Sequence, residues 1–226
     1  MRGREWLQEK REELGAYGFA SLLMGRPRPR AGGMFKWNDW QLLDVVPATG
    51  HVVRFWDTAG TDKKGKSDDP DYTVGAAAVR LPDLRTAFVD LARFRHAVSS
   101  RDAKIAEVAR EDARRFAGRI RWRFEREAGI GGADRTAHLK RIAQNAGIPC
   151  DDLPATGNKV TRAEPLASAV GAGNVLLCRG EWNDALRTEA ADFPTGKHDD
   201  QVDACAGAFN MLATPAPSVG FTSLRI

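Results

Sequence analysis

The chain has 226 residues, with 34 lysines and arginines against 30 acidic residues and a formal net charge of +4. That is enough for one sizeable domain with extensions, and the mild basicity is compatible with a polyanionic partner without requiring one. No run of about 18 apolar residues exists, which excludes a membrane-spanning helix. The start, Met1-Arg2-Gly3-Arg4-Glu5-Trp6, lacks the apolar core of a secretory signal. Cys150, Cys178 and Cys205 are few, odd in number and far apart, so they read as buried free thiols rather than a disulfide frame or a zinc site.

In chain order, residues 4–14 predict a charged helix. Residues 25–33, rich in arginine, glycine and proline, break regular structure. They read equally well as a linker or as a nucleic-acid contact. Phe35, Trp37 and Trp40 follow, an aromatic group expected to anchor this segment onto a domain. Residues 51–57 predict the first core strand, ending at Asp57 and the small-residue turn Thr58-Ala59-Gly60. Residues 72–81 and 85–94 predict two more strands, joined closely enough for antiparallel hairpins.

Residues 99–117 predict a helix with Ile105, Val108, Ala109 and Phe116 on one side. Residues 119–125 alternate basic and apolar side chains, as a strand does, and end at Glu125 and Glu127. Helices are predicted over 133–145, 161–170 and 181–191, with short strands at 150–153 and 174–178. Thr161 with Glu164 has the form of a capping box. Three early strands followed by strand–helix alternation predict an α/β fold, a mixed sheet with helices on its faces.

The last helix opens with Gly196-Lys197-His198-Asp199-Asp200-Gln201-Val202-Asp203-Ala204. Val202, Cys205, Phe209 and Leu212 step at helical spacing, so the acids lie in the first turn of a buried helix. Asp200 and Asp203 share a face, as do Asp199 and Asp203. One acid there would cap the helix and meet its dipole; three repel one another and suit a hard cation such as Mg²⁺. An acidic, solvated helix start explains this stretch taken alone. Asp57, Glu125 and this group taken together point instead to a two-metal site, with carboxylates around two cations about 3.5–4 Å apart. If the first and fourth core strands are neighbours, Asp57 meets Glu125. His198 reads either as a further ligand or proton carrier or as an ordinary surface histidine.

Gly60-Thr61-Asp62-Lys63-Lys64-Gly65-Lys66-Ser67 matches the P-loop pattern letter for letter, and residues 86–90 resemble the strand that ends in its acidic partner, Asp90. A P-loop must run directly into a helix whose amides hold phosphate. Here Ser67 is followed by Asp68-Asp69-Pro70-Asp71 and a strand. The stretch reads as a lysine-rich hairpin loop, and a P-loop NTPase is the alternative. Lys63, Lys64, Lys66, Lys159 and Arg162 are candidate contacts to DNA phosphates, as are Arg121 and Arg123; solvated charge is the default for each singly.

An ordered set of short motifs adds a resemblance. It comprises Phe19-Ala20, the Pro-Arg-Ala-Gly-Gly-Met-Phe-Lys run at 29–36, Trp56-Asp57-Thr58-Ala59 and Asp71-Tyr72-Thr73-Val74-Gly75. Glu125-Arg126-Glu127-Ala128-Gly129 and Thr156-Gly157-Asn158-Lys159 with Arg162-Ala163-Glu164-Pro165-Leu166 follow. Gly173-Asn174-Val175, Trp182-Asn183 and the run from Phe193 to Ala204 complete it. Over residues 19–212 the chain resembles the C-terminal nuclease domain of the large terminase subunit of tailed bacteriophages.

The resemblance implies an RNase H-like fold related to Holliday-junction resolvases, with three antiparallel strands and then parallel ones. It implies two Mg²⁺ or Mn²⁺ ions and endonucleolytic cutting of concatemeric double-stranded DNA at the start and end of packaging. It implies Asp57, Glu125 and the last acidic group as ligands. The Asp-x-x-Asp spacing favours Asp200 and Asp203, with Asp199 still a candidate. In this reading Asp57 bridges both ions, Glu125 and Asp203 hold one each, and Asp200 completes the set.

The implied partners are DNA, a packaging ATPase domain or subunit, the small terminase subunit and the portal, in the host cell cytoplasm. Because no helix-backed P-loop is present, the chain reads as an excised domain or a short product working beside a separate motor. Residues 1–46 are then a connection, 47–214 the nuclease domain and 215–226 a tail. The 61–70 loop is a lid over DNA or an insertion. A non-catalytic DNA- or portal-binding module is the remaining alternative, but pure DNA binding gains nothing from clustered acids.

Overall fold

β-Branched and aromatic residues at 52–57 build β2 (Val52–Asp57), an inner strand of a seven-stranded sheet in a computed structural model of the chain. The structure describes residues 33–47, 49–58, 72–126, 130–154 and 157–213. The expectations for the 4–14 helix, the arginine-rich break before Gly33 and the 215–226 tail lie outside the described residues. So do those for the 60–67 stretch with Lys63, Lys64 and Lys66.

The other elements are β1 (Gln41–Leu43), β3 (Thr73–Arg80), β4 (Thr86–Phe94), α1 (Val98–Phe116), β5 (Ile120–Arg126) and α2 (Ile130–Asn145). Then come β6 (Cys150–Pro154), α3 (Lys159–Gly171), β7 (Val175–Cys178), α4 (Asn183–Asp192) and α5 (Asp200–Ala213). Strand order is β1-β7-β4-β3-β2-β5-β6. β2, β3 and β4 pair antiparallel, and every other pairing is parallel. This is the mixed sheet that the strand pattern predicts, with the antiparallel strands followed by parallel ones that the resemblance implies. Among the described residues no helix is long and apolar enough to cross a membrane.

Two local readings change. The segment read as a connection contributes β1, which pairs with β7. Phe35 stacks on Trp40 at 5.6 Å and meets Phe193 edge-on at 6.1 Å, so the aromatic group does anchor the segment in the core. Three residues are too few to show a strand period. The cap assigned to Thr161 belongs to Asn158, whose side chain accepts the Val160 N–H at 2.8 Å. Asparagine caps as well as threonine does, so α3 starts two residues earlier and Thr161 falls inside its first turn.

Side chains alternate across β2. Val53 and Phe55 enter a core shared with α3, α4 and α5. Val52 and Trp56 enter a second core shared with α1 and α2. Arg54 belongs to the second face and is buried. Its Nε and Nη2 donate to Asp112 at 2.7 and 2.8 Å, Nη2 also to Asp90 at 2.6 Å, and Nη1 to the Gly75 carbonyl at 2.7 Å. Trp122 Nε1 donates to the same Asp112 at 2.8 Å. A buried guanidinium is tolerated because its donors are met by carboxylates and a carbonyl. Asp90, the acid of the P-loop alternative, is thus a structural partner of Arg54.

On the first face α5 crosses β2 and β3 very closely. A Cβ on Gly207 would stand 2.3 Å from the Phe55 ring, so glycine is what allows this approach. Gly207→Ala is expected to lower stability. Overpacking costs about 1–3 kcal/mol, against a gain of about 1 kcal/mol from alanine's helix propensity. Urea unfolding measures the sum, and a stabilised variant would show that α5 has room to spare.

Candidate active site

Strand parity puts Asp57 on the same face as Phe55. The parallel register of β2 and β5 runs from Val52↔Ile120 to Trp56↔Phe124, so the next pair along is Asp57 and Glu125. The neighbour relation that the sequence left conditional is therefore met. α5 lies across β2, and its first turn brings Asp200 and Asp203, both buried, to the same place. Asp203 N–H donates to the Asp199 carbonyl at 2.9 Å, which makes Asp199 the residue that opens the helix.

The start of α5 is fixed from outside. Glu189 on α4 accepts the backbone N–H groups of Gln201 at 2.6 Å and Val202 at 3.2 Å, and its other oxygen takes the Gln201 side chain at 2.6 Å. A carboxylate thereby satisfies amides at the positive end of the helix. Burial pushes the Glu189 carboxyl up, and these hydrogen bonds oppose the rise. The sequence reading missed Glu189. Its signal was an acid between Leu186 and Ala190 on the apolar stripe of a predicted helix.

Burial, and then the charges of Glu125, Asp203 and Asp200, hold the Asp57 carboxyl well above the usual carboxylate range, while Lys159 pulls it the other way. Burial also raises Asp203, against Lys159 and Arg162. Among the described residues no hydrogen bond or ion pair reaches the Asp57 carboxylate, although its backbone pairs with Val74 in the sheet.

Lys159 and Arg162, read from sequence as DNA contacts between elements, stand among these acids. The Asn158 cap starts α3 at Lys159, so the two basic residues are three apart and share a face. Lys159 Nζ lies 2.8 Å from Asp199 Oδ1 and 3.0 Å from Asp203 Oδ2. Arg162 donates to Glu125 and lies 3.5 Å from Asp203 Oδ1. Burial works against both cations, but their acidic partners outweigh it and raise both above their ordinary values.

His198 Nδ1 is 3.9 Å from Asp200 Oδ2, and the Tyr72 backbone N–H donates to that oxygen at 3.1 Å. Arg123 on β5 is held by Asp151 on β6 at 2.6 Å. A cavity of about 150 Å³ opens beside the acids, lined by Phe55, Arg123, Glu125, Arg162, Asp203 and Met211 among others.

Among the described residues, no three His, Cys, Asp or Glu side chains converge closely enough as they stand to hold a metal ion. Lys159 and Arg162 lie between the acids. The chemistry of the donor set nevertheless suits a hard cation. It is all oxygen, and five carboxylates (Asp57, Glu125, Asp199, Asp200 and Asp203) face two full cations.

Residues 54–212 match the family model of the terminase RNaseH-like domain. The chain belongs to that family. No curated protein matches it. This terminase domain is similar in fold to the human cytomegalovirus terminase nuclease domain, at 14% identity and TM-score 0.57 over 72% of this chain and 83% of that one. It is similar to the magnesium-bound large terminase nuclease of thermophilic phage G20c, at 16% identity and TM-score 0.53 over 80% and 98%. It is also similar to the large terminase nuclease domain of Thermus phage P74-26, at 16% identity and TM-score 0.52 over 79% and 94%.

Proposed function

We propose that this terminase domain is a divalent-metal-dependent endonuclease that hydrolyses double-stranded DNA during viral packaging, with little sequence preference. Membership of the terminase RNase H-like family supports a nuclease role in DNA packaging. The observation that carries the chemistry is the cluster itself. Acids from β2, β5 and α5 meet on one face, and among the described residues the Asp57 carboxylate has no ion pair of its own, only the more distant pull of Lys159.

Asp57, Glu125, Asp200 and Asp203 would hold two Mg²⁺ or Mn²⁺ ions, with Asp199 and His198 at the margin. When bound, such a pair activates water for attack on phosphorus and stabilises charge on the leaving 3′ oxygen. The chain's own residues do the rest. Asp57 gathers charge repulsion that only a cation or a proton relieves. Lys159 and Arg162 keep Asp199, Asp203 and Glu125 from splaying apart, and cation binding competes with them for those carboxylates. DNA, the packaging motor, the small terminase subunit and the portal are the partners this reading implies.

Incubating supercoiled plasmid with the protein in Mn²⁺, in Mg²⁺ and in EDTA tests the proposal. Nicked and linear products with either metal, and none in EDTA, are expected. Cleavage that persists in EDTA, or intact plasmid in every lane with the protein shown to be folded, would contradict it.

A further inference from the structure

The residue that caps α5 does not belong to it. The first helical hydrogen bond runs from the Asp203 N–H to the Asp199 carbonyl at 2.9 Å, so Asp199 holds the cap position. An aspartate there ordinarily accepts the N–H of the second or third helical residue, which here are Gln201 and Val202. Both N–H groups go instead to Glu189 Oε1 on α4, at 2.6 and 3.2 Å. Asp199 Oδ1 faces Lys159 at 2.8 Å.

Glu189 is buried, and both of its oxygens are engaged. Oε2 accepts the Gln201 side-chain amide at 2.6 Å and lies 4.0 Å from Arg93 Nη2. The turn that Glu189 holds carries Asp199, Asp200 and Asp203, whose carboxylates repel one another. Without the outside acceptor, the N–H groups of the buried Gln201 and Val202 need another partner. One course is for the Asp199 carboxylate to cap its own helix, which turns it away from the cluster. The other is fraying of the first turn, which carries Asp200 and Asp203 with it.

We infer that Glu189 is a positioning residue for the divalent-cation site. By capping α5 from α4 it keeps Asp199 turned toward the cluster and holds Asp200 and Asp203 beside Asp57 and Glu125. The inference rests on the metal-dependent nuclease reading above and adds to it a residue that touches neither ion nor DNA. Removing a group that orients metal ligands typically weakens metal binding about 10–100-fold.

The test is Mn²⁺ binding to the full chain without DNA, read from the electron paramagnetic resonance signal of the free ion. It compares the wild-type chain, Glu189→Ala and Glu189→Gln. The alanine variant is expected to bind Mn²⁺ about 10-fold more weakly or worse. Glutamine keeps an oxygen that accepts both N–H groups. Its NH₂ can donate to Gln201 Oε1, a buried atom that lacks a hydrogen-bond partner, once the Gln201 amide turns over. The glutamine variant is therefore expected to stay close to wild type.

Wild-type affinity in Glu189→Ala overturns the inference, because a residue that only stabilises the fold lowers the Tm and leaves the ion's affinity unchanged. A glutamine variant as weak as the alanine variant also overturns it, because the charge of Glu189 rather than its hydrogen bonds would then be at work. A wild-type chain that binds no Mn²⁺ overturns the metal-dependent reading itself, and the inference with it. Thermal melts set a temperature at which every variant is folded. If Glu189→Ala does not fold, Glu189→Asp, which keeps the charge but is one methylene too short to reach both N–H groups, carries the test in the same direction.

Discussion

Asp57→Asn is expected to abolish metal-dependent cleavage and to make the metal-free domain more stable at neutral pH. The loss follows from the place of Asp57 between Glu125 and the α5 acids, where the proposed mechanism would make it a ligand shared by both ions. A cation pair contributes several kcal/mol to phosphoryl transfer, so losing the shared ligand is expected to slow cleavage on the order of 10²–10⁴-fold.

The gain in stability follows from the direction of the Asp57 shift. Its carboxyl is raised in the folded state, so the folded chain holds this proton at pH values where the unfolded chain has lost it. Stability of the metal-free protein therefore falls as pH rises from the unfolded carboxylate value, about 4, through the raised folded value. Asparagine removes that slope. Asp203, raised for the same first reason, adds to it. Melting temperature against pH in EDTA, for wild type and Asp57→Asn, measures both effects. An unchanged pH profile would show that the acids do not burden the fold, and retained cleavage would remove Asp57 from the mechanism. A residue that costs stability where it serves chemistry is the usual form of a functional site.

The second large effect lies on the opposite face. Arg54→Met keeps the volume but strands the buried Asp112 carboxylate, which then retains only the Trp122 N–H among its hydrogen-bond donors in the described residues. Breaking a buried pair by removing one partner costs about 3–5 kcal/mol. For a domain of this size that is a fall in Tm on the order of 10 °C. Adding Asp112→Leu is expected to recover much of the loss, because an apolar pair no longer needs the partner charge. Thermal melts of the single and double variants decide it. A double variant as unstable as the single one would show that the cost comes from packing around Trp56 and Trp122 rather than from the stranded charge.

Both cases show where local reading ends. The alternation in residues 119–125 and the β-branched run at 52–57 mark strands, and the three–four–three spacing of Val202, Cys205, Phe209 and Leu212 marks a buried helix. Burial repeats at the period of each element, so those elements and the acids at their ends were legible in the sequence alone. The motif set that led to the family was legible for the same reason, since it consists of short contiguous runs.

What the sequence left open was decided by contacts between residues far apart in the chain. The pairing of β2 with β5 turned two strand-end acids into neighbours. The closeness of Gly207 to Phe55 brought Asp203 over them. Glu189 capped a helix from another helix, and Arg54 found Asp112 fifty-eight residues away. Lys159 and Arg162 read from the sequence as candidate DNA contacts, and only the fold placed them against Asp199, Asp203 and Glu125. Periodicity reports which side of an element is buried. It carries no information about which charge will wait on the other side, because register and helix-to-sheet distance are set only when the whole core closes.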